Sequence, residues 1–144
     1  MVISGHLEAI ERAIGLVKDH GIKRGIKLPV SAPFHCSLMQ PAAGRMAEAL
    51  AQTPPGPLSV PLFANVNAAR VTDPAEEQPL LVEQLTGRVR WRESVLAMVE
   101  GGMQEFVELG GKVLAPMVGR IAPDCRTVSL VTMDDLEAFA KEQA

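Results

Sequence analysis

Pro29 and Pro33 stiffen the stretch that most limits what this chain can become: Leu28-Pro29-Val30-Ser31-Ala32-Pro33-Phe34-His35-Cys36-Ser37-Leu38-Met39-Gln40-Pro41. Each proline holds its own φ at about −65° and pushes the preceding residue toward extended backbone. Ahead of them, Ile26, Leu28 and Val30 alternate with Lys27 and Pro29, the period of a half-buried strand. Behind them, Leu38, Ala42, Met46 and Leu50 recur near helical spacing over residues 38–51, and Pro41 is acceptable only in a first turn. The stretch therefore reads as strand, stiff turn and helix, with His35 in the turn. Such strand-to-helix turns are where α/β folds present reactive side chains. Histidine suits general-base work because its ordinary pKa lies nearest neutrality. A hydrogen-bonded structural histidine in a tight turn is the alternative reading.

The rest of the chain alternates in the same way. A helix is expected from Ser4 or Gly5, with Leu7, Ile10, Ile14 and Val17 on one face and Gly21 as its stop. Thr53-Pro54-Pro55-Gly56-Pro57 forms a rigid linker, and residues 58–66 read as a buried strand. Asp73-Pro74 offers a cap, while Pro79 places the start of the next helix near Gln78. Helices are expected over residues 90–100 and after Gly110-Gly111, with strands over 106–109 and 128–131. Thr132 with Asp135 approximates a capping box for a closing helix. The whole predicts an α/β fold, a mostly parallel sheet flanked by helices. Glycines opening a helix can cradle an anion, but Gly110-Gly111 lacks P-loop spacing, and tight strand–helix packing is the plainer expectation.

Composition removes several function classes. Hydrophobic residues make up 47% and charged residues 22% of 144, an ordinary globular composition. The formal net charge is −3 with no basic stripe, so nucleic acid is not the expected partner. No apolar run approaches the roughly 18 residues of a membrane span, and no signal peptide opens the chain, so no membrane partner is expected. Cys36 and Cys125 follow neither metal nor disulfide spacing and read as reduced thiols, which makes the cytoplasm the expected location.

The run L-P-V-S-A-P-F-H-C-x-L-M-x-P-A-A closely resembles the histidine-bearing region of malonyl-CoA:acyl-carrier-protein transacylases, over more than ten consecutive positions. Asn65-Val66, Gln84-Leu85, Val89-Arg90-Trp91, Glu108-Leu109-Gly110 and Gly111-Lys112-Val113-Leu114 follow in the family's order. The resemblance covers residues 2 to about 131 but only the second half of the family's length. It implies that residues 1–30 are the remnant of a ferredoxin-like small subdomain, and residues 31–144 the C-terminal part of the α/β acyltransferase domain. It also implies transfer of a malonyl group from malonyl-CoA to the phosphopantetheine thiol of an acyl carrier protein. The route is an acyl-serine intermediate, and neither metal nor cofactor is implied.

In that picture His35 is the catalytic base, and the Asn65 main-chain carbonyl is expected to hold its Nδ1. Gln84 is an active-site glutamine facing the same cleft. Taken on position alone, Gln84 is a glutamine on a leucine face that needs hydrogen-bond partners, or a partly exposed amide at a helix end. Phe34 is expected to bind substrate, its benzyl group crowding an α-methyl branch and favouring malonyl over methylmalonyl units.

Acyl transfer also needs a nucleophile and oxyanion donors. The resemblance places the serine in a Gly-x-Ser-x-Gly elbow, and no such pattern occurs in these residues: Ser4, Ser31, Ser37, Ser59, Ser94 and Ser129 all lack the flanking glycines. This chain alone is therefore expected to be inactive. A polyketide-synthase-type acyltransferase piece shares the histidine motif, and a non-catalytic carrier-binding or scaffold piece is the reading from another class. A Cys–His hydrolase built on Cys36 would require inactivation by alkylation, yet adjacent side chains usually diverge.

Overall fold

A computed structural model describes residues 2–143, and the chain divides into two compact units, Met1–Val89 and Arg90–Ala144.

The first unit opens with α1 (Leu7–Leu16), followed by a strap without regular structure. The strand expected over residues 26–30 does not form, because a strand exists only by pairing and no ladder partner lies beside it among the described residues. Instead the chain turns at Gly21, where Ile22 N–H donates to the Val17 carbonyl at 2.9 Å, and Lys27 reaches Glu11 on α1 at 3.2 Å. After His35 the chain makes one 3₁₀ turn (Ser37–Met39) and enters α2 (Gln40–Gln52), with Pro41 in its first turn as expected.

Residues 58–66 yield only the short strand β1 (Leu62–Ala64), since Pro57 and Pro61 cannot donate to a ladder and Val60 lies exposed. Its antiparallel partner β2 (Ala69–Val71) pairs Leu62 with Val71 and Ala64 with Ala69, a hairpin that periodicity did not reveal. The next helix, α3 (Pro74–Glu83), starts four residues before the Gln78 expected from Pro79. The Asp73 side chain accepts from Ala75 N–H at 2.8 Å and Pro74 takes the first helical position, so the cap sets the start and Pro79 is carried inside. Helices α2 and α3 pack together, and α3 lies on the hairpin; Val71 and Ala43 are buried.

The second unit runs α4 (Trp91–Glu100), β3 (Glu105–Leu109), α5 (Leu114–Ile121), β4 (Arg126–Leu130) and α6 (Met133–Glu142). Strands β3 and β4 are parallel, in register from Glu105↔Arg126 to Leu109↔Leu130, so helices and a small parallel sheet make the expected α/β arrangement. Val95, Val118 and Ala122 form the core, with Trp91, Val99, Phe106 and Ile121 packed against it. The capping box at Thr132 is present in full: Asp135 N–H donates to Thr132 Oγ1, and Thr132 and Val131 N–H both donate to Asp135 Oδ2 at 2.9 Å.

The turn at Gly110-Gly111 does hold an anion, and the anion is the chain's own. Glu108 accepts from the amides of Val113 at 2.9 Å, Leu114 at 3.0 Å and Ala115 at 2.8 Å, closing the N-terminus of α5; Ser129 Oγ lies 3.4 Å away. A Cβ at Gly111 would stand 2.9 Å from Glu108 Oε1, so a larger residue there would have the carboxylate shift. The Ala115 amide above all, then that of Leu114, holds the Glu108 carboxyl below its ordinary pKa. The Thr132 amide does the same for Asp135.

Two outcomes follow. A carboxyl depressed on folding adds stability above its unfolded pKa and loses it as pH falls through the folded value. Denaturant midpoints should therefore drop as pH is lowered below about 4.5, and Glu108→Gln should lower the midpoint at neutral pH and flatten that acid limb. Ala68, at φ 56° in the β1–β2 loop, holds a left-handed conformation that costs an L-residue. Ala68→Gly should raise stability by about 0.5–1 kcal/mol in the same titration.

Candidate active site around His35

The site begins with a helix that runs out of amides. The last carbonyls of an α-helix have no following N–H to accept from. At the end of α3, the Val82 carbonyl is met by Leu85 N–H and that of Glu83 by Thr86 and Gly87 N–H, at 2.9–3.2 Å. The next two carbonyls, of Gln84 and Leu85, are met by one residue, His35. Its backbone N–H donates to Leu85 O at 3.2 Å and its ring Nδ1 lies 2.9 Å from Gln84 O. A carbonyl oxygen only accepts, so Nδ1 carries the proton and Nε2 keeps its lone pair.

The turn that delivers His35 is a strained one. Phe34 and His35 are its central residues, and His35 takes φ 61°, a left-handed value uncommon outside glycine. The Cys36 thiol donates to the Pro33 carbonyl at 3.1 Å across the same turn, so it is engaged with the backbone rather than with the neighbouring ring. His35 and Phe34 are both exposed. Among non-glycine residues, histidine is one of the types found more often at positive φ, and the two bonds to α3 hold it there.

The structure brings His35 and Gln84 together, through the main chain of Gln84. The expected bond from Nδ1 to the Asn65 carbonyl is not the one made: the acceptor is the Gln84 carbonyl at the end of α3, 2.9 Å away. Asn65 stands where β1 enters its loop, and it lines a cleft of about 90 Å³ together with Gln84, Phe63, Glu77 and Leu81. The Gln84 side chain lies within reach of Leu81 O, Nε2 to oxygen at 3.4 Å, which gives the amide on the leucine face a local partner. Leu85 was legible only as a motif neighbour of Gln84; a role played by a backbone oxygen leaves no mark on residue identity. Among the described residues no group of three or more His, Cys, Asp or Glu is placed to hold a metal. No helix among the described residues is long and apolar enough to cross a membrane.

In the second unit an open hollow of about 680 Å³ lies where β3 and β4 begin, beside Met103, Cys125 and Arg126. Arg126 is already paired there with Glu105 at 2.8 Å and Glu142 at 2.7 Å. Ligands of open parallel sheets are found at the other, carboxyl ends of the strands.

No family model matches the sequence. The malonyl CoA-acyl carrier protein transacylase of Bacillus subtilis (strain 168) is 37% identical over 138 residues, spanning 95% of this chain and 44% of its own length. The acyl-carrier-protein-S-malonyltransferase of Bartonella henselae superposes with a TM-score of 0.88 at 41% identity, over 96% of this chain and 44% of that one. A malonyl-transacylase solved in complex with its type II PKS acyl-carrier protein superposes with a TM-score of 0.90 at 33% identity, again over 96% and 45%. In sequence and in fold, over nearly all of its residues, this chain is a relative of the malonyl CoA-acyl carrier protein transacylases, of whose length it spans less than half.

Proposed function

We propose that this chain is the part of a malonyl-CoA:acyl-carrier-protein transacylase that supplies the catalytic base, His35, to a serine carried on polypeptide outside these residues. The observation that carries the reading is the Nδ1–H bond to Gln84 O at 2.9 Å, which leaves Nε2 as the acceptor on an exposed ring. In the first half-reaction Nε2 takes the serine proton as the serine oxygen attacks the malonyl thioester carbonyl. Collapse of the tetrahedral intermediate expels the coenzyme A thiolate, which leaves as the thiol with the imidazolium proton. The second half runs the same steps with the phosphopantetheine thiol of the carrier protein as nucleophile and the serine as leaving group. The carbonyl of Gln84 orients the imidazole but carries no full charge, so it holds the tautomer as a triad carboxylate does and compensates the imidazolium less.

The carrier partner is supported by the related transacylase solved with its acyl-carrier protein. That relative also keeps a polyketide-type acyltransferase in view. Residues 1–30 are read as the tail of a ferredoxin-like small subdomain, and the free Cys36 and Cys125 support a cytoplasmic setting. The lack of a Gly-x-Ser-x-Gly among these residues favours one second reading, a carrier-binding piece without turnover.

Malonyl transfer to phosphopantetheinylated carrier protein decides between them. The chain alone should give no transfer. Mixed with the portion of the Bacillus subtilis transacylase that it does not match, it should transfer, and His35→Ala should lower that rate by about 10²- to 10⁴-fold. Robust transfer by the chain alone, abolished by His35→Ala, would mean that one of its own side chains is the nucleophile. Carrier binding without transfer in the mixture would establish the second reading. In the active mixture Phe34→Ser should raise the methylmalonyl-to-malonyl ratio by roughly 10- to 200-fold, the value of one methyl group in a pocket. An unchanged ratio would remove Phe34 from substrate selection.

A further inference from the structure

His35 is held from two directions, and the residue after it takes part in the second. Pro33, Phe34, His35 and Cys36 make a four-residue turn with His35 at φ 61°. On one side the His35 amide meets Leu85 O at 3.2 Å and its ring meets Gln84 O at 2.9 Å, at the end of α3. On the other side the Cys36 carbonyl accepts from Met39 N–H at 3.0 Å, in the 3₁₀ turn that leads into α2. Cys36 is itself extended, at φ −146° and ψ 171°, and its thiol reaches back to donate to the Pro33 carbonyl at 3.1 Å. One residue thus joins the two ends of the turn to each other and to the start of α2, which packs against α3.

The amide and the ring of His35 meet two successive carbonyls together only while its backbone keeps the left-handed value. A non-glycine residue stays there only where its surroundings hold it. At the front of the turn the proline ring fixes φ. At the back there is no ring, and the thiol bond takes that part. A bond from S–H is weak, so its effect is to choose between turn conformations rather than to hold the fold together. A half-buried thiol engaged in this way acts as a small apolar group with one donor.

We infer that Cys36 is a positioning residue for His35: its thiol-to-carbonyl bond keeps the Pro33–Cys36 turn in the conformation that brings the His35 amide and ring to α3 together, and so keeps the proton on Nδ1. The placement of the ring rests on geometry alone, while its bearing on malonyl transfer rests on the proposed function.

Nitrogen-15 NMR of the histidine rings in the full 144-residue chain reads the tautomer, with the exposed His6 and His20 as internal references. At about pH 8, where imidazole is neutral, the Nδ1–H form of His35 should dominate in the unaltered chain and in Cys36→Ser, which keeps a donor. In Cys36→Ala the Nε2–H form should rise at least about twofold, with circular dichroism unchanged. In the mixture with the unmatched portion of the Bacillus subtilis transacylase, Cys36→Ala should lower kcat and kcat/KM for malonyl-CoA together by about tenfold, and Cys36→Ser should stay within about threefold of the unaltered chain. A tautomer balance that Cys36→Ala leaves in place, or transfer that it leaves at full rate, would overturn the inference. Loss of transfer in Cys36→Ser with the Nδ1–H form retained would also overturn it, making the thiol a reacting group. A tautomer change in Cys36→Ala with no transfer in any mixture would sink the proposed function and leave the positioning of the ring standing.

Discussion

The candidate site depends on two carbonyl oxygens that α3 cannot satisfy by itself. Helix ends leave acceptors without donors, and a chain must find them partners or leave them to water. Here the Gln84 and Leu85 oxygens are both met by His35, one by its amide and one by its ring. A loop residue exposed to solvent would ordinarily sample several rotamers. Two attachments on successive residues of a helix end remove that freedom, and the left-handed φ at His35 is tolerated because the attachments outweigh its cost of roughly 1–2 kcal/mol. The base is held by secondary structure rather than by another charged side chain.

That arrangement separates what residue identities reveal from what they conceal. The helix at Leu7–Leu16, the parallel strands around Phe106 and Val128, and the capping box at Thr132 and Asp135 were all legible, because each rests on periodicity or on a side chain that caps. The start of α3 was misplaced at Gln78: the Asp73 cap and Pro74 set the start, and Pro79 is carried inside the helix. Residues 26–30 have the alternation of a strand and lack a neighbouring strand among the described residues, and pairing is the one property of a strand that its own residues do not encode. The proline-flanked His35 announced itself, as did Gln84. The carbonyl that holds the ring did not, since every residue owns one, and the Gln84 oxygen at the end of α3 takes the place expected of Asn65.

The parallel pair β3–β4 follows the same logic at the level of the sheet. Parallel strands usually lie between two covering layers. Here Val107 and Leu109, alternate residues on one face of β3, are 40% and 70% exposed, while Phe106 on the other face packs into the core around Val95. The local rules for α5 and its flanking strands are thus satisfied in full, whereas the rule for a covered sheet is satisfied on one side.

The carboxylate of Glu108 bears on a different matter, the choice of ligands. A helix N-terminus with three converging amides is ordinarily open to phosphate groups. In this chain the post is already filled by a tethered carboxylate, whose effective concentration at these amides a solute would have to exceed. A phosphorylated molecule meeting this unit would find α5 neutralised from within. The amides at the start of α5 are directed inward, toward the fold itself.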